Sequence, residues 1–446
     1  MINCIFSKFI IIIFILLKIT KYYNYYLDLN NNFIKNQNDL NLSFSKKLEK
    51  KIRIGIYTYC MKNGGRARMS AILINILYKI NIFNIYLYTL KYKENDEYKI
   101  PINIKRFIIK NNNITKIFKN KINILIFQLR SLKKIKILNK FKNTQIIYYM
   151  HNSVFYFIYS NYSYFKSLYK EYINSNYSIT LVPFENDYLF PKWGIRSILM
   201  NNFITYNYNY VIPSNLSSKI ILMIGRGNDK YKRFEKGIKS IEYINQVIKE
   251  CKLKIISRFY GINKLINLIY NLNLEHFIKI EGFTENPEIF FSNSSLHFFP
   301  TITESFGLVL SETKIYGIPN ILLGLDYIST AQNGTIIIYD DRPETIAKAA
   351  IKILLNNKYR EILGKKSRKS MIKYNNELLK MKWIKLILSL YSVDLYYNEF
   401  QKKNNKKLSE KEGLFILSRQ IEILKIRDKS FKNITLNDFG NIFREN

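Results

Sequence analysis

Two glutamates, Glu304 and Glu312, stand eight residues apart where a loop gives way to a predicted helix in a lysine-rich chain. Gly307 opens an apolar run with helical spacing, and Gly317 with a proline two residues on closes it. Backbone N–H groups at the start of a helix carry about half a positive charge and bind phosphate. Phosphate on these amides and hydroxyls on the carboxylates would suit a sugar nucleotide. Taken alone, the segment is equally consistent with an ordinary helix carrying two solvated glutamates.

A glycine pair and a histidine stand at the ends of two other predicted strands, where open α/β sheets bind ligands. Gly64 and Gly65 lie between the first strand and the first helix, and paired glycines let a backbone approach a ligand closely. His151 follows the strand 145–149. The plainer interpretations are a tight turn and a structural histidine.

A basic loop follows a later strand. Gly225 and Arg226 begin it and Lys232 ends it. A guanidinium and an ammonium at a strand end could neutralise a diphosphate, the arginine bidentately and the lysine as a point charge. Lys230 competes with Lys232 for that role, and a basic loop in a basic protein is the alternative.

Apolar runs alternate with helical patterns along the chain, which predicts parallel sheets covered on both faces. The first series has a predicted helix at 68–79 and strands at 52–58, 84–89, 122–128, 145–149 and 179–183. The second has helices at 233–249 and 261–272 and strands at 220–225, 253–257, 277–281, 296–300 and 318–323. We therefore predict an α/β fold with two Rossmann-like domains facing a cleft, an N-terminal hydrophobic segment and a C-terminal helical tail.

The domain organisation follows from the same patterns. The predicted parts are a hydrophobic leader or signal anchor, a polar stem, an N-terminal Rossmann-like domain, a C-terminal Rossmann-like domain, a closing amphipathic helix and a charged tail with a helix at 409–426. Their bounds are 1–21, 22–50, 51–205, 206–372, 373–397 and 398–446, respectively.

The net charge of +37 invites a nucleic-acid interpretation, but the lysines are spread along the chain. They accompany many Ile, Asn, Tyr and Phe residues, all of which have A/T-rich codons, so we attribute the charge to genomic bias and predict no nucleic-acid partner. The three cysteines show no pairing pattern, and the three histidines no metal-ligand spacing. We predict no metal site.

The stretch Phe9–Leu17 is uninterruptedly apolar and flanked by lysines. It is shorter than the ~18–20 residues that span a bilayer, although its flanking lysines can snorkel. No small-residue cleavage site follows it. A signal anchor is the favoured interpretation and a leader that does not insert is the alternative. Insertion would place the protein at a membrane, in the endoplasmic reticulum or Golgi; otherwise it would be cytoplasmic.

From Arg53 to about Tyr391 the chain resembles the GT-B glycosyltransferases of the large "group 1" family (family 4), which are mostly retaining enzymes. Glu304 to Glu312 is similar to that family's E-x7-E motif. The remaining similarities are an ordered series of shorter motifs: Asn63-Gly64-Gly65, Gly225-Arg226 with Lys232, Gly282-Phe283, Asn333-Gly334-Thr335 and Trp383.

The resemblance implies that the N-terminal Rossmann-like domain binds the acceptor and the C-terminal one binds the donor, and it implies roles for these residues. Arg226 and Lys232 would hold the donor diphosphate, with Gly65 against it, and Glu312 would bind the ribose. Glu304 would contact the donor sugar with the amides that follow it, and His151 would lie near the reacting centre. The catalytic set is thus His151, Glu304, Arg226 and Lys232; the donor-binding set is Gly64, Gly65, Gly225, Arg226, Lys232, Gly282, Phe283, Glu304, Ser305, Phe306, Gly307, Leu308 and Glu312.

The predicted activity is retaining, metal-independent transfer of a hexosyl unit from a nucleoside-diphosphate sugar to a glycan, lipid or protein hydroxyl. The donor is a co-substrate and no cofactor is expected. Arg66 and Arg68 replace residues that are commonly acidic in the family, which suggests an anionic acceptor. The alternative function is a catalytically silent GT-B protein that acts as a membrane-tethered binding partner.

Overall fold

The computed structural model describes most of the 446-residue chain, namely residues 50–62, 64–92, 98–109, 117, 119–128, 144–160, 169, 172–173, 175–227, 229–258, 261–284, 286–392 and 409–427. The predicted leader at 1–21 and nearly all of the stem at 22–50 lie outside these residues and stay predictions. Within the described ranges, no helix combines the length and apolar character needed to cross a bilayer.

The first sheet has seven strands in the order β3-β2-β1-β4-β5-β6-β7. Neighbouring strands run parallel, with Ile54 of β1 beside Ile124 of β4. β4 is apolar and buried along its length, and β1 is buried except at Arg53, as expected for central strands of a parallel sheet covered on both faces. The strands are β1 (Ile52–Thr58), β2 (Phe83–Thr89), β3 (Lys105–Ile108), β4 (Ile124–Phe127), β5 (Gln145–Tyr149), β6 (Tyr177–Thr180) and β7 (Ser197–Leu199).

Short helical segments join these strands. α1 (Gly65–Tyr78) follows β1, and α2 (Val154–Ser160) follows β5. A π-helical turn (Glu185–Leu189) runs directly into α3 (Phe190–Lys192) before β7. α1 and α2 therefore begin just beyond strand ends, where they present the glycine pair and the residues after His151.

The second sheet has six parallel strands in the order β10-β9-β8-β11-β12-β13. Its strands are β8 (Ile220–Ile224), β9 (Lys252–Ile256), β10 (Ile278–Glu281), β11 (Leu296–Phe299), β12 (Asn320–Leu323) and β13 (Thr335–Ile338). Its helices are α4 (Phe234–Val247), α5 (Asn263–Asn271), α6 (Glu288–Phe291), α7 (Leu308–Ile315), α8 (Pro343–Leu355) and α9 (Asn357–Lys369).

The predicted α/β class with parallel sheets is confirmed. The strand predictions agree with the structure to within about three residues, and the sequence misses three strands, β3, β7 and β13, all at sheet edges. The predicted domain bounds stay predictions.

The chain divides into two compact units: residues 1–52 with Ile80–Asn84, and Arg53–Lys79 with Ile85–Asn446. In the first, Ile52 N–H donates to the Ile82 carbonyl over 2.9 Å; the second contains every candidate site residue.

Two C-terminal helices follow the second sheet. The predicted closing helix is α10 (Asn376–Ser392), and its buried Trp383 packs edge-on against Tyr149 of the first sheet, with ring centroids 5.4 Å apart. The helix predicted at 409–426 is α11 (Glu410–Arg427). From the sequence, this helix is only part of a charged tail with no predicted packing partner. In the structure, α11 packs against other elements and buries Leu417 and Ile421.

A buried carboxyl group fixes the segment that follows His151. Glu185 Oε1 accepts the Val154 N–H at the start of α2 over 2.6 Å, and Oε2 accepts the Thr180 hydroxyl over 2.6 Å. Burial raises the pKa of Glu185 to about 7, and the hydrogen bonds from Thr180, Val154 and Ser153 only partly offset this. Glu185 thus ties β6 to α2 and is largely protonated in mildly acidic solution.

We expect Glu185→Gln to stabilise the protein relative to wild type more at pH 8 than at pH 5. The folded pKa lies above the unfolded value, so the contribution of Glu185 to stability is present below about pH 4.5 and is lost as the pH rises through 7. The glutamine side chain at position 185 does not titrate. Any pH-independent effect of the amide on the free energy of unfolding is the same at both pH values and cancels in the comparison. Denaturant unfolding at both pH values measures the difference, expected to be about 1–3 kcal/mol. Glu361→Gln, at an exposed helical glutamate, is the control, and an equal effect of Glu185→Gln at both pH values would contradict the assignment.

Candidate functional site

The loop between β11 and α7 contains the residues predicted to form an anion seat. Gly307 precedes α7 with φ of 75°, a left-handed conformation that favours glycine, and its carbonyl accepts the Ser311 N–H over 2.9 Å. The Phe306 ring is fully buried and packs edge-on against Tyr374. Phe306 therefore anchors this loop in the core, and only its backbone remains available to a ligand.

Glu304 and Lys232 meet directly at this seat. Lys232 Nζ lies 3.0 Å from Glu304 Oε2, while Glu304 Oε1 accepts the Ser305 N–H over 3.1 Å. The Lys232 ammonium also lies over the Phe299 ring, 5.1 Å from its centroid. Lys230 instead lies over the Tyr231 ring. Between the two competing lysines, the structure brings Lys232 to the seat.

Glu312 is held by a residue from the other sheet. Its Oε1 accepts Arg68 Nη2 of α1 over 2.6 Å and the Thr205 hydroxyl over 3.0 Å. The side chains of Glu312 and Arg68 are only 4% and 24% exposed, respectively. From the sequence, Arg68 suggests only an anionic acceptor. In the structure it is the ion-pair partner of Glu312, the residue predicted to bind the ribose. The residues lie 244 positions apart, and no local signal could have paired them.

The glycine pair touches the same helix. Gly64 has φ of 95° and Gly65 begins α1. A Cβ atom on Gly65 would lie 2.8 Å from Leu308 Cδ1, at the first residue of α7. Gly65 therefore permits the close approach of α1 to α7, while Asn63 lies outside the described residues.

His151 lies beside the seat and is half-buried. Its carbonyl accepts the Ser305 hydroxyl over 2.6 Å, and its ring stacks at an angle on Tyr149 with centroids 4.1 Å apart. Burial and the nearby Arg66 guanidinium lower the pKa of His151 to about 3, so the imidazole is neutral at neutral pH. Its buried Nε2 has no hydrogen-bond partner among the described residues.

The remaining predicted residues lie at the edge of this arrangement. The Arg226 side chain is 70% exposed and pairs with Asp229 Oδ2 over 2.8 Å, and Gly225 N–H donates to the Ile256 carbonyl. Phe283 follows β10 beside Gly282; it is 60% exposed and lies under the Arg258 guanidinium. The structure places them at strand ends of the second sheet without direct contact to Glu304 or Glu312. Across the described ranges, no group of three or more His, Cys, Asp or Glu side chains is arranged to hold a metal ion.

Residues 210–370 match the family model described as glycosyl transferases group 1. This match covers just over a third of the chain, which is similar over that segment to the group 1 glycosyl transferases. The chain is an enzyme of the transferase class, as the sequence predicts. The matched segment contains Arg226, Lys232 and both glutamates of the E-x7-E spacing; the glycine pair and His151 precede it. No curated protein sequence matches the chain.

Solved structures with the same fold span about three-quarters of the chain. Sucrose-phosphate synthase from Thermosynechococcus elongatus has a TM-score of 0.64 at 16% identity, covering 77% of this chain and 100% of that one. A glycosyltransferase from Rickettsia africae has 0.62 at 15%, with the same coverage. Anabaena HepE, solved in complex with UDP and glucose, has 0.61 at 12%, covering 76% and 100%. At such low identities the likeness establishes the shared fold.

We expect a large energetic coupling between Arg68 and Glu312. Removing either partner leaves the other as a poorly solvated charge. The destabilisation caused by Arg68→Gln and that caused by Glu312→Gln should therefore sum to more than the destabilisation measured for the double variant. A double-mutant cycle of denaturant unfolding should give at least about 1 kcal/mol of coupling. The exposed pair Lys219–Glu250, 2.8 Å apart, is the control, for which about 0–0.5 kcal/mol is expected. Additive effects at Arg68 and Glu312 would show that the contact contributes nothing.

Proposed function

We propose that this protein is a family 4 glycosyltransferase, which moves a hexosyl unit from a nucleoside-diphosphate sugar to a hydroxyl group of a glycan, lipid or protein, with retention and without a metal. The observation that supports this most directly is the Lys232–Glu304 pair at the start of α7, 3.0 Å apart. A cation and a carboxylate side by side match a phosphate beside a sugar hydroxyl. The amides of Ser305 to Gly307 would complete the seat.

The cations of the domain serve the leaving group. As the bond from the anomeric carbon to the diphosphate oxygen breaks, negative charge grows on that phosphate. Lys232 and the α7 amides would stabilise it from one side, and Arg226 from the solvent side. The exposed Arg226 side chain can turn from Asp229 to a phosphate. Preorganised charges of this kind can supply the stabilisation that a metal ion provides elsewhere.

The carboxylates would bind the hydroxyls of the donor. Both described contacts of Glu312 fall on Oε1, so we assign Oε2 to the ribose. When a donor phosphate binds the Lys232 ammonium, Glu304 would release Lys232 and accept hydroxyl groups of the donor sugar instead. In this assignment Arg68 remains on Glu312 and fixes the orientation of its carboxylate.

The acceptor would attack from the face on which the diphosphate leaves. Its oxygen bonds to the anomeric carbon while the leaving phosphate oxygen takes its proton, so the products are the glycoside and the nucleoside diphosphate. A neutral His151 fits a hydrogen-bonding role beside the reacting centre and not that of a charged acid.

Donor binding is tested first, by incubating the full-length protein with a panel of UDP- and GDP-sugars and measuring its thermal stabilisation. Failure to bind any nucleotide sugar would favour the catalytically silent alternative.

We expect Arg226→Ala and Glu312→Ala each to lower kcat/KM for the donor by about 10²-fold, since each removes a contact proposed for the bound donor or its leaving group. Nucleoside diphosphate release measures the rate. Arg226 is the cleaner test because it is exposed, whereas Glu312→Ala also breaks a buried ion pair. Lys239→Ala, which removes an exposed lysine of α4, is the control. Transfer at nearly the wild-type rate in both variants would overturn the assignment.

A further inference from the structure

The C-terminal helix α11 packs against elements of both sheets. At its first residue, Glu410 Oε1 accepts Lys192 Nζ over 2.6 Å and the Tyr188 hydroxyl over 3.2 Å. Gly413 lies against the Tyr188 ring so closely that an added Cβ would fall 2.1 Å from Tyr188 Cδ2. The start of α11 thereby packs against the π-helical turn and α3, which connect β6 to β7 of the first sheet.

The second half of α11 reaches the loop after β12. Arg419 pairs with Asp326, and its guanidinium lies over the Tyr339 ring. Gln420 is fully buried, and its Nε2 donates to the Gly324 carbonyl over 3.1 Å. Its Oε1 accepts the Tyr159 hydroxyl of α2 over 2.5 Å. One amide side chain thus connects α2 of the first sheet with the loop after β12 of the second.

Both ends of this bridge continue into the candidate site. On one side, α2 begins three residues after His151, and Phe155 of α2 packs edge-on against Tyr327, with ring centroids 4.9 Å apart. On the other side, the Tyr327 hydroxyl accepts the Glu304 N–H over 3.2 Å. The loop after β12 also bonds the Phe306 carbonyl through the Thr330 hydroxyl. Movement of the loop would therefore displace the backbone at Glu304 and Phe306.

We infer that Gln420 is a positioning residue, which sets the loop after β12, and through Tyr327 the backbone of Glu304, relative to α2 and His151. A buried amide satisfied on both sides has a high cost of disruption, because both partners would be left without a hydrogen bond. It therefore favours one relative placement of α2 and the loop. The kinetic consequence depends on the proposed function, whereas the structural link does not.

The test compares Gln420→Leu with wild type in the full-length protein. Hydrogen–deuterium exchange should increase at residues 304–307 and 324–331 while exchange in β8 and β11 is unchanged. Donor KM should rise about fivefold, the equivalent of one lost net hydrogen bond. A residue that only supports folding would lower the amount of active enzyme, and hence the apparent kcat, without changing donor KM.

Three further variants keep the test decisive. Tyr159→Phe removes one hydroxyl from the bridge and carries the test if Gln420→Leu fails to fold; its effect should not add to that of Gln420→Leu. Gly413→Ala should displace α11 and produce the same exchange pattern, and Gly413→Ala combined with Tyr188→Leu should reverse it in part. Lys411→Ala, on the exposed face of α11, is the control.

Unchanged exchange at 304–307 and 324–331 in both Gln420→Leu and Tyr159→Phe would overturn the inference. The same holds if both variants keep the wild-type donor KM in an active enzyme. If the wild-type protein turns over no donor, the proposed function fails, while the exchange measurements still decide whether Gln420 links α2 to the loop.

Discussion

The parallel direction of the strands is the constraint on which the site depends. Because neighbouring strands in each sheet point the same way, their carboxyl ends lie along one edge, and the residues that follow them are brought together. β1 and β5 deliver Gly65 and His151, while β8 and β11 deliver Lys232 and Glu304. Apolar strands buried on both faces are needed to hold this order, so the core packing determines which polar groups meet.

Most of the architecture could be read from hydrophobic periodicity, and the exceptions have a common cause. β3, β7 and β13 are sheet edges of three or four residues with partly exposed side chains. An edge strand has one neighbouring strand fewer and less buried surface, so its hydrophobic pattern is weak. α11 posed a different difficulty: its sequence suggests a helix but carries nothing to show that Gln420 and Arg419 are buried against other elements.

The residue types at the site were predictable because strand ends and a helix start place them there, but their pairings were not. Glu312 and Arg68 come from different sheets, and their contact depends on how closely α1 approaches α7. Gly65 favours that approach, since a Cβ atom there would press on the end of the Leu308 side chain. Lys232 and Lys230 were indistinguishable by type and spacing; only the course of the loop directs Lys232 to Glu304.

The net charge of +37 gives a misleading picture of the site itself. Three of its cations already have carboxylate partners: Lys232 with Glu304, Arg68 with Glu312 and Arg226 with Asp229. A free diphosphate that took Lys232 would leave Glu304 without its cation, which is costly in a partly buried site. A sugar diphosphate supplies both a phosphate for Lys232 and hydroxyls for Glu304. The pairing therefore favours the proposed sugar diphosphate over a ligand that carries phosphate groups alone.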